Sequence, residues 1–281
     1  MLRTRVLTAL VLVPLVLAAL FLLDARAWGV ATLVVVGIAA AEWARLAALS
    51  RAATYAFVAL VLLAGGCLLW APVFDFQAGR GWPDPLVLGV CGAATLFWML
   101  VVPAWLVRGW RPRTPALHAA VGMLVLLSTW IAIVQIHAHS PGLLLALMAV
   151  VWVADTAAYF AGRRFGRHKL APAISPGKTR EGAYGALFAV GAYALALLPL
   201  GARNGYAQAI GAGAAAGWVV LLVLLALLSI FGDLLESMLK RQRGVKDSGS
   251  VLPGHGGVLD RIDALTAAMP AAALIVNYLV R

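Results

Sequence analysis

The chain has 281 residues, of which 63% are hydrophobic and 12% charged, and its mean hydropathy is +0.95. Soluble domains carry about 25% charged and about 45–50% apolar residues, so the composition excludes a soluble globular protein and a disordered chain. A disulfide scaffold is excluded because the two cysteines, Cys67 and Cys91, both lie in apolar runs. The net charge of +11 would point a soluble protein toward nucleic acid; in a polytopic membrane protein it reflects Lys and Arg gathered in cytoplasmic loops, and no nucleic-acid partner is expected.

Nine apolar segments follow one another along the chain: Val6–Leu23, Trp28–Leu49, Ala52–Val73, Pro85–Val107, Pro115–Ile136, Pro141–Gly162, Gly182–Leu200, Tyr206–Ile230 and Ala264–Val280. Each is close to the ~20 residues that cross a bilayer. Pro85, Pro115 and Pro141 stand at predicted starts, where a missing N–H does little harm. Over alternate loops, 18 of the 22 Lys and Arg residues fall on one side, while Arg26, Arg80, Arg203 and Arg281 fall on the other. This split predicts an all-α polytopic integral membrane protein with about nine transmembrane helices and a cytoplasmic N-terminus. The first apolar run is longer than the ~7–15 residues of a signal-peptide core, so it is read as a span, with cleavage near Ala25-Arg26-Ala27 the lesser alternative.

The acidic residues locate the chemistry. Of 11, Asp24, Asp75 and Asp84 lie in predicted external loops and Glu42 lies near the end of span two. The other seven, Asp155, Glu181, Asp233, Glu236, Asp247, Asp260 and Asp263, lie at or near the cytoplasmic ends of spans six to nine. The chain therefore divides into an N-terminal transmembrane scaffold, residues 1–140, with about five helices. Residues 141–281 form a catalytic transmembrane region with two cytoplasmic loops, 163–181 and 238–262. Ionisable groups inside spans are costly and normally face a protein interior or a wet cavity, and Asp155 lies well inside span six. Asp233, Glu236, Ser237 and Lys240 share one helix face, and Asp260 and Asp263 are one turn apart. Two such faces on neighbouring helices can hold a hard divalent cation; the bland alternative is a salt-bridge ladder at a helix end, with Asp260 a simple cap.

Two loops carry unusual texture. After span six the chain reads Gly162-Arg163-Arg164-Phe165-Gly166-Arg167-His168-Lys169, then Ile174-Ser175-Pro176-Gly177-Lys178-Thr179-Arg180-Glu181-Gly182. Hydroxyls, a lysine and backbone N–H groups just ahead of a helix suit phosphate oxygens, although the Walker A spacing is absent. After span eight comes Pro253-Gly254-His255-Gly256-Gly257, whose glycines permit positive φ and close approach of the backbone to a ligand. His255 is displayed there beside five carboxylates. His118, His137 and His139 near span ends read as interfacial, and His168 as one member of a basic loop.

The stretch from Ser237 to Asp263 resembles the signature of the phosphatidate cytidylyltransferases, or CDP-diacylglycerol synthases. Ser237, Lys240, Arg241, Lys246, Asp247, Leu252, Pro253, His255, Gly256, Gly257, Asp260, Arg261 and Asp263 each occupy a fixed position of that pattern. Asp155-Thr156-Ala157-Ala158-Tyr159, Gly162, Phe165-Gly166, Ile174-Ser175-Pro176, Lys178-Thr179, Glu181-Gly182 and Gly232-Asp233 with Glu236-Ser237 are similar to the family as well. The resemblance spans residues 150–263 at motif level; Ala264, where a small hydroxyl or glycine is more usual, is a minor departure.

The resemblance implies that CTP and phosphatidic acid are condensed to CDP-diacylglycerol and pyrophosphate. It implies a bacterial-type inner membrane, a homodimer, and an active site facing the cytoplasm. The implied cofactor is Mg²⁺, with a second cation compatible with the same carboxylates. Asp233 and Asp260 are its principal ligands in this reading, and Asp263, Glu236 and Asp247 are of second rank. Asp233, Asp260, Lys240 and His255 carry the catalysis. Ser175, Lys178, Thr179, Arg180, Ser237, Arg241, Lys246, Asp247, Gly256, Gly257 and Arg261 bind the substrates, and Asp155 organises the cavity. A cation- or proton-coupled transporter is the competing class; it favours charges near the midplane and paired broken helices in both halves, whereas these acids crowd one interface of one half. An alcohol phosphatidyltransferase is a third class, and its D-G-x-x-A-R pattern is absent.

Overall fold

A computed structural model of the chain describes residues 2–72, 81–111, 114–203 and 212–279. The described chain is almost wholly helical. The elements are α1 (Leu2–Leu22), α2 (Ala25–Leu46), α3 (Arg51–Trp70), α4 (Asp84–Leu96), α5 (Val102–Arg108), α6 (Pro115–His139), α7 (Pro141–Phe165), α8 (Arg180–Arg203), α9 (Ala212–Gln242) and α10 (Leu259–Leu279). A two-stranded antiparallel hairpin, β1 (Lys169–Ala171) and β2 (Ser175–Thr179), sits between α7 and α8 and pairs Lys169 with Thr179 and Ala171 with Ser175.

Local sequence sets many of the helix ends. Asp24, Ser50 and Ser140 cap α2, α3 and α7 by accepting from the amides of Ala27 at 2.8 Å, Ala53 at 3.3 Å and Leu143 at 3.2 Å. Pro115 and Pro141 open α6 and α7. Gly109, at φ 57°, ends α5 in the left-handed conformation. Between α4 and α5 the helix widens into a π-helical turn, Phe97–Val101. Pro103, just beyond it, has no N–H to give to the preceding turn, and the register shift accommodates that loss.

Helices α6 and α10 form the centre. α10 packs on α9, α6 and α4, and α6 packs on α2, α4 and α7 as well. Tryptophans tie this centre together with satisfied N–H groups: Trp130 donates to the Gly29 carbonyl at 3.0 Å and Trp43 to the His118 carbonyl at 2.9 Å. Small residues then let backbones approach, as membrane helices require. A Cβ on Gly185 of α8 would lie 2.4 Å from Ala161 Cβ of α7, and one on Gly232 of α9 would lie 2.4 Å from the Asp263 carbonyl of α10. The second contact brings the acid-bearing ends of α9 and α10 side by side.

Seven described stretches are long and apolar enough to cross a membrane: Ala25–Leu46, Arg51–Trp70, Asp84–Arg108, Pro115–His139, Pro141–Phe165, Arg180–Pro199 and Ala215–Gln242. The polytopic all-α expectation holds. The other two expected spans correspond to the shorter apolar helix Val6–Leu22 and to α10, whose first turns carry Asp260, Arg261 and Asp263.

The helices outrun the apolar segments. α9 continues past Ile230 to Gln242, as the shared helical face of Asp233, Glu236, Ser237 and Lys240 requires, and Leu234, Leu235, Met238 and Leu239 keep a buried apolar face at helical spacing. α7 continues to Phe165 and α10 begins at Leu259, so the loops expected at 163–181 and 238–262 are shorter, and the first of them holds the hairpin. Asp75, Arg80, Arg113 and Arg281, and the expected span ends at Val73, Tyr206 and Val280, lie outside the described residues.

Gly232→Ala should push α9 from α10, because its methyl would meet backbone atoms that cannot rotate aside. The expected loss is about 1–3 kcal/mol, read as a lowered melting temperature of the detergent-solubilised protein; an unchanged value would mean that the two helices separate freely.

Candidate active site

The continued α9 carries Asp233, Glu236, Ser237 and Lys240 past the apolar segment, and α10 opens with Asp260 and Asp263. Where the two helices meet, the Lys240 ammonium sits between two carboxylates. It donates to Asp260 Oδ1 at 2.6 Å and is paired with Glu236 one turn back. The other oxygen of Asp260, Oδ2, accepts from the amides of Ser248 at 2.9 Å and Gly257 at 2.7 Å. The knot is largely buried: the side chains of Lys240, Asp260 and Glu236 are 12%, 5% and 3% exposed. Glu236 Oε1 is buried there without a hydrogen-bond partner.

About two turns back along the same face of α9, at Asp233, lies a cavity of about 460 Å³ between α7, the hairpin, α8 and α9. Its walls are mostly small and apolar, including Ala154, Ala158, Ala183, Ala186 and Ile230, and its polar end holds Asp155, Ser175, Lys178, Thr179 and Asp233. Lys178 Nζ meets Asp233 Oδ2 at 2.5 Å, and Ser237 Oγ donates to Asp233 Oδ1 at 3.1 Å. The hairpin that presents Lys178 is clasped onto α8. Glu181 accepts from the amides of Arg167 at 3.1 Å and His168 at 3.2 Å and from His168 Nδ1 at 2.6 Å. Thr179 is buried beneath it; its hydroxyl accepts from the Gly182 amide at 3.1 Å and caps α8.

Knot and cavity share one field. Asp155 feels Asp233 and Lys178; Asp263 feels Asp233, Lys240 and Lys178; Glu236 feels Asp263, Lys240 and Asp260. Five acids and two lysines thus form one electrostatic unit spanning α7, the hairpin, α9 and α10. Among the described residues no three His, Cys, Asp or Glu side chains stand together as a ready metal cage.

Comparison with known proteins decides the family. A model of the cytidylyltransferase family matches residues 3–279. The chain belongs to that family. It is 41% identical to a phosphatidate cytidylyltransferase of Pseudomonas aeruginosa over 289 aligned residues, covering 98% of this chain and 97% of the relative. It is 36% identical to a phosphatidate cytidylyltransferase of Haemophilus influenzae, covering 96% of each chain. A phosphatidate cytidylyltransferase of Brucella suis is 51% identical over 131 residues, covering 46% of this chain and 43% of the relative. A full-length match to a family of transferases sets the transporter alternative aside.

Within this cytidylyltransferase fold, the residues singled out from sequence occupy three kinds of position. Asp233, Lys178, Ser175, Thr179 and Asp155 meet at the cavity; Asp260, Glu236 and Lys240 form the knot, with Asp263 inside its field. Arg180, Arg241, Lys246, Asp247 and Arg261 are exposed and are not drawn into either group. His255 is half-buried, with Nδ1 buried and unpartnered, and its amide donates to the Leu252 carbonyl at 2.9 Å. Gly256, at φ +83°, could carry no Cβ without meeting Asp260 Oδ2 at 2.7 Å. The Gly257 amide, expected to face phosphate, is given to Asp260.

One buried acid in direct contact with this loop was not singled out from sequence. Glu42 of α2 is fully buried against Ser248, Val258 and Leu259. The available signal was its position as the lone acid inside the apolar spans of residues 1–140, since intramembrane charge is functional by default.

Lys240→Ala should be far more damaging than a surface substitution, because it leaves Glu236 and Asp260 buried without a counter-charge. A loss of about 3 kcal/mol is expected, measured as a drop in melting temperature. Adding Glu236→Gln should recover part of it, and a single variant as stable as the parent would contradict the knot.

Proposed function

We propose that the chain transfers the cytidylyl group of CTP to phosphatidic acid, releasing pyrophosphate and leaving CDP-diacylglycerol in the membrane. One observation carries this reading: Asp155, Asp233 and Lys178 stand at the polar end of a mostly apolar cavity, with the Lys240–Glu236–Asp260 knot further along α9, in a chain matched to the cytidylyltransferase family along nearly its whole length.

The reaction brings two anions together. An oxygen of the lipid phosphate forms a bond to the α-phosphorus of CTP, and the bond from that phosphorus to the oxygen bridging to the β-phosphorus breaks, its electron pair leaving with pyrophosphate. A phosphate monoester has its second pKa near ~6, so the nucleophile is already ionised at neutral pH and no strong base is needed. The protein's task is positioning and charge neutralisation.

Lys178 and Ser175, at the polar end of the cavity, meet the lipid phosphate, while the alanines and Ile230 accept the carbons next to it. Exposed Arg241, Lys246 and Arg261 draw the triphosphate from water, with Arg180 adding to the positive rim. His255, half-buried in the glycine turn, orients the pyrophosphate. Asp155 and Ser237 hold Lys178 and Asp233 in place.

The donor set fits Mg²⁺. Every candidate ligand is a hard carboxylate oxygen, and Glu236 Oε1 is buried with no partner. Mg²⁺ is usually held by one or two carboxylates plus phosphates and water rather than by an all-protein cage. Asp233, Glu236, Asp260 and Asp263 would hold it, with a second cation accommodated by the same group. Bound there, it would neutralise the phosphates and stabilise charge in the transition state.

The same reading gives nine membrane crossings, with the N-terminus and active site at the cytoplasmic face of a bacterial inner membrane. The asymmetric distribution of Lys and Arg supports that sidedness. Residues 141–281 carry the chemistry on a scaffold of residues 1–140, and the enzyme works as a homodimer.

Purified protein in mixed micelles should form CDP-diacylglycerol only when CTP, phosphatidic acid and Mg²⁺ are all present. Asp233→Asn should lower kcat by about 100-fold or more, and Lys178→Ala should mainly raise KM for phosphatidic acid. Undiminished turnover in Asp233→Asn, or equal rates with UTP in place of CTP, would overturn the assignment.

A further inference from the structure

We propose that Glu42 is a positioning residue for this reaction, holding the loop between α9 and α10 in the form that sets Asp260 and Lys240. The proposal rests on the cytidylyl-transfer reading and extends it into the part of the chain that supplies no other site residue. Glu42 sits in the last turns of α2 with 0% of its surface exposed. Its carboxylate accepts from Ser248 Oγ at 2.9 Å, from the Val258 amide at 3.1 Å and from the Leu259 amide at 2.7 Å. Val258 ends the loop and Leu259 opens α10. Glu42 therefore satisfies backbone donors at a helix start that no residue within the helix can satisfy, and places a negative charge at its positive end.

The loop is shaped to wrap this carboxylate. A Cβ on Gly249 would fall 2.2 Å from Glu42 Oε1, and one on Gly257 would fall 2.4 Å from Oε2. Arg45, one turn further along α2, lies 3.9 Å from Glu42 Oε1 and donates to the Ser248 carbonyl at 3.1 Å. α2 thus grips the loop through donors and acceptors at once.

The link to the reacting residues is direct. Ser248 gives its hydroxyl to Glu42 and its amide to Asp260; Gly257 lies against Glu42 and gives its amide to the same Asp260 oxygen. Asp260 in turn holds Lys240. Glu42 does not line the cavity, so it acts through the loop and not on the lipid.

A merely structural acid would affect stability throughout the protein. A positioning residue should affect the loop and the chemical step. The experiment uses the full chain in detergent, with steady-state kinetics in CTP and phosphatidic acid and with limited trypsin cleavage in the absence of substrates. Glu42→Gln presents an NH₂ group where N–H donors point. It should lower kcat by about 10- to 100-fold, the loss of one or two hydrogen bonds to a charged group, while KM for phosphatidic acid stays within about twofold because the cavity is untouched. Cleavage at exposed Arg243 and Lys246 should accelerate at least about tenfold while cleavage elsewhere keeps its rate.

Ser248→Ala removes one hydroxyl and keeps the amide to Asp260, and it serves if Glu42→Gln does not fold. It should give the same pattern at about three- to tenfold. Parental kcat and loop cleavage in both variants would overturn the proposal. So would a loss of kcat matched by faster cleavage along the whole chain, or by an equal rise in KM for phosphatidic acid. The cleavage comparison needs no turnover, so a parent protein inactive toward CTP would sink the proposed reaction while the loop result still decides the role of Glu42.

Discussion

The structure depends on how acidic side chains are carried at the edge of an apolar bundle. A carboxylate leaving water for such a place is expensive unless a counter-charge or hydrogen-bond donors replace the water it loses. The solution here is local and nearly complete. Lys240 serves Glu236 and Asp260, Lys178 serves Asp233, backbone amides serve Asp260 and Glu42, and hydroxyls serve Asp233 and Glu42. The exception is Glu236 Oε1, buried and unpartnered. A group left in that condition sits where an incoming cation or donor gains most, and so it falls within the proposed reaction centre.

This arrangement requires close backbones before it requires charges. Gly232 lets α9 meet the Asp263 carbonyl of α10, and without that approach the knot would have nothing to close on. Around the cavity, Gly162, Gly182 and Gly185 bring α7 and α8 together with Thr179 between them, which fixes the hairpin and therefore Lys178. The large residues do the complementary work at a distance: buried tryptophans of α2 and α6 lock the helices against which α10 rests. Small residues bring the charged helix ends together, and aromatic residues hold the frame still.

What could be read from sequence followed the reach of local spacing. Asp233, Glu236, Ser237 and Lys240 were legible as one face because a helix repeats every few residues, and the structure places them on one helix. The end of the apolar run did not mark the end of the helix: mean apolarity falls at Asp233, while Leu234, Leu235, Met238 and Leu239 carry the buried stripe on toward Gln242. Ser175 through Thr179 read as a loop for phosphate; it is also a strand, and the Thr179 hydroxyl is committed to capping α8. The Gly257 amide likewise looked free and belongs to Asp260. Each of these two groups has a competing partner three residues away, at a helix start that spacing alone does not locate. Glu42 lay furthest from view because its partners are more than two hundred residues away along the chain, and no periodicity connects them.

Position along α9 separates the acids by task. Asp233 is 29% exposed and stands at the cavity beside Lys178, so it can exchange partners when an anionic substrate arrives. Asp260 is 5% exposed, and both its oxygens are already engaged, by an ammonium on one side and two amides on the other. A group so constrained is slow to change partners and good at holding others still. In the proposed reaction Asp233 is therefore the cation ligand open to substrate, and Asp260 the ligand that, besides facing the cation, sets the height of Lys240 and the path of the glycine turn around His255. Substituting Asp233 removes a participant and should spare the fold. Substituting Asp260 also frees Lys240 and two loop amides, so its effect on rate will always include the loss of the frame in which Lys240 works.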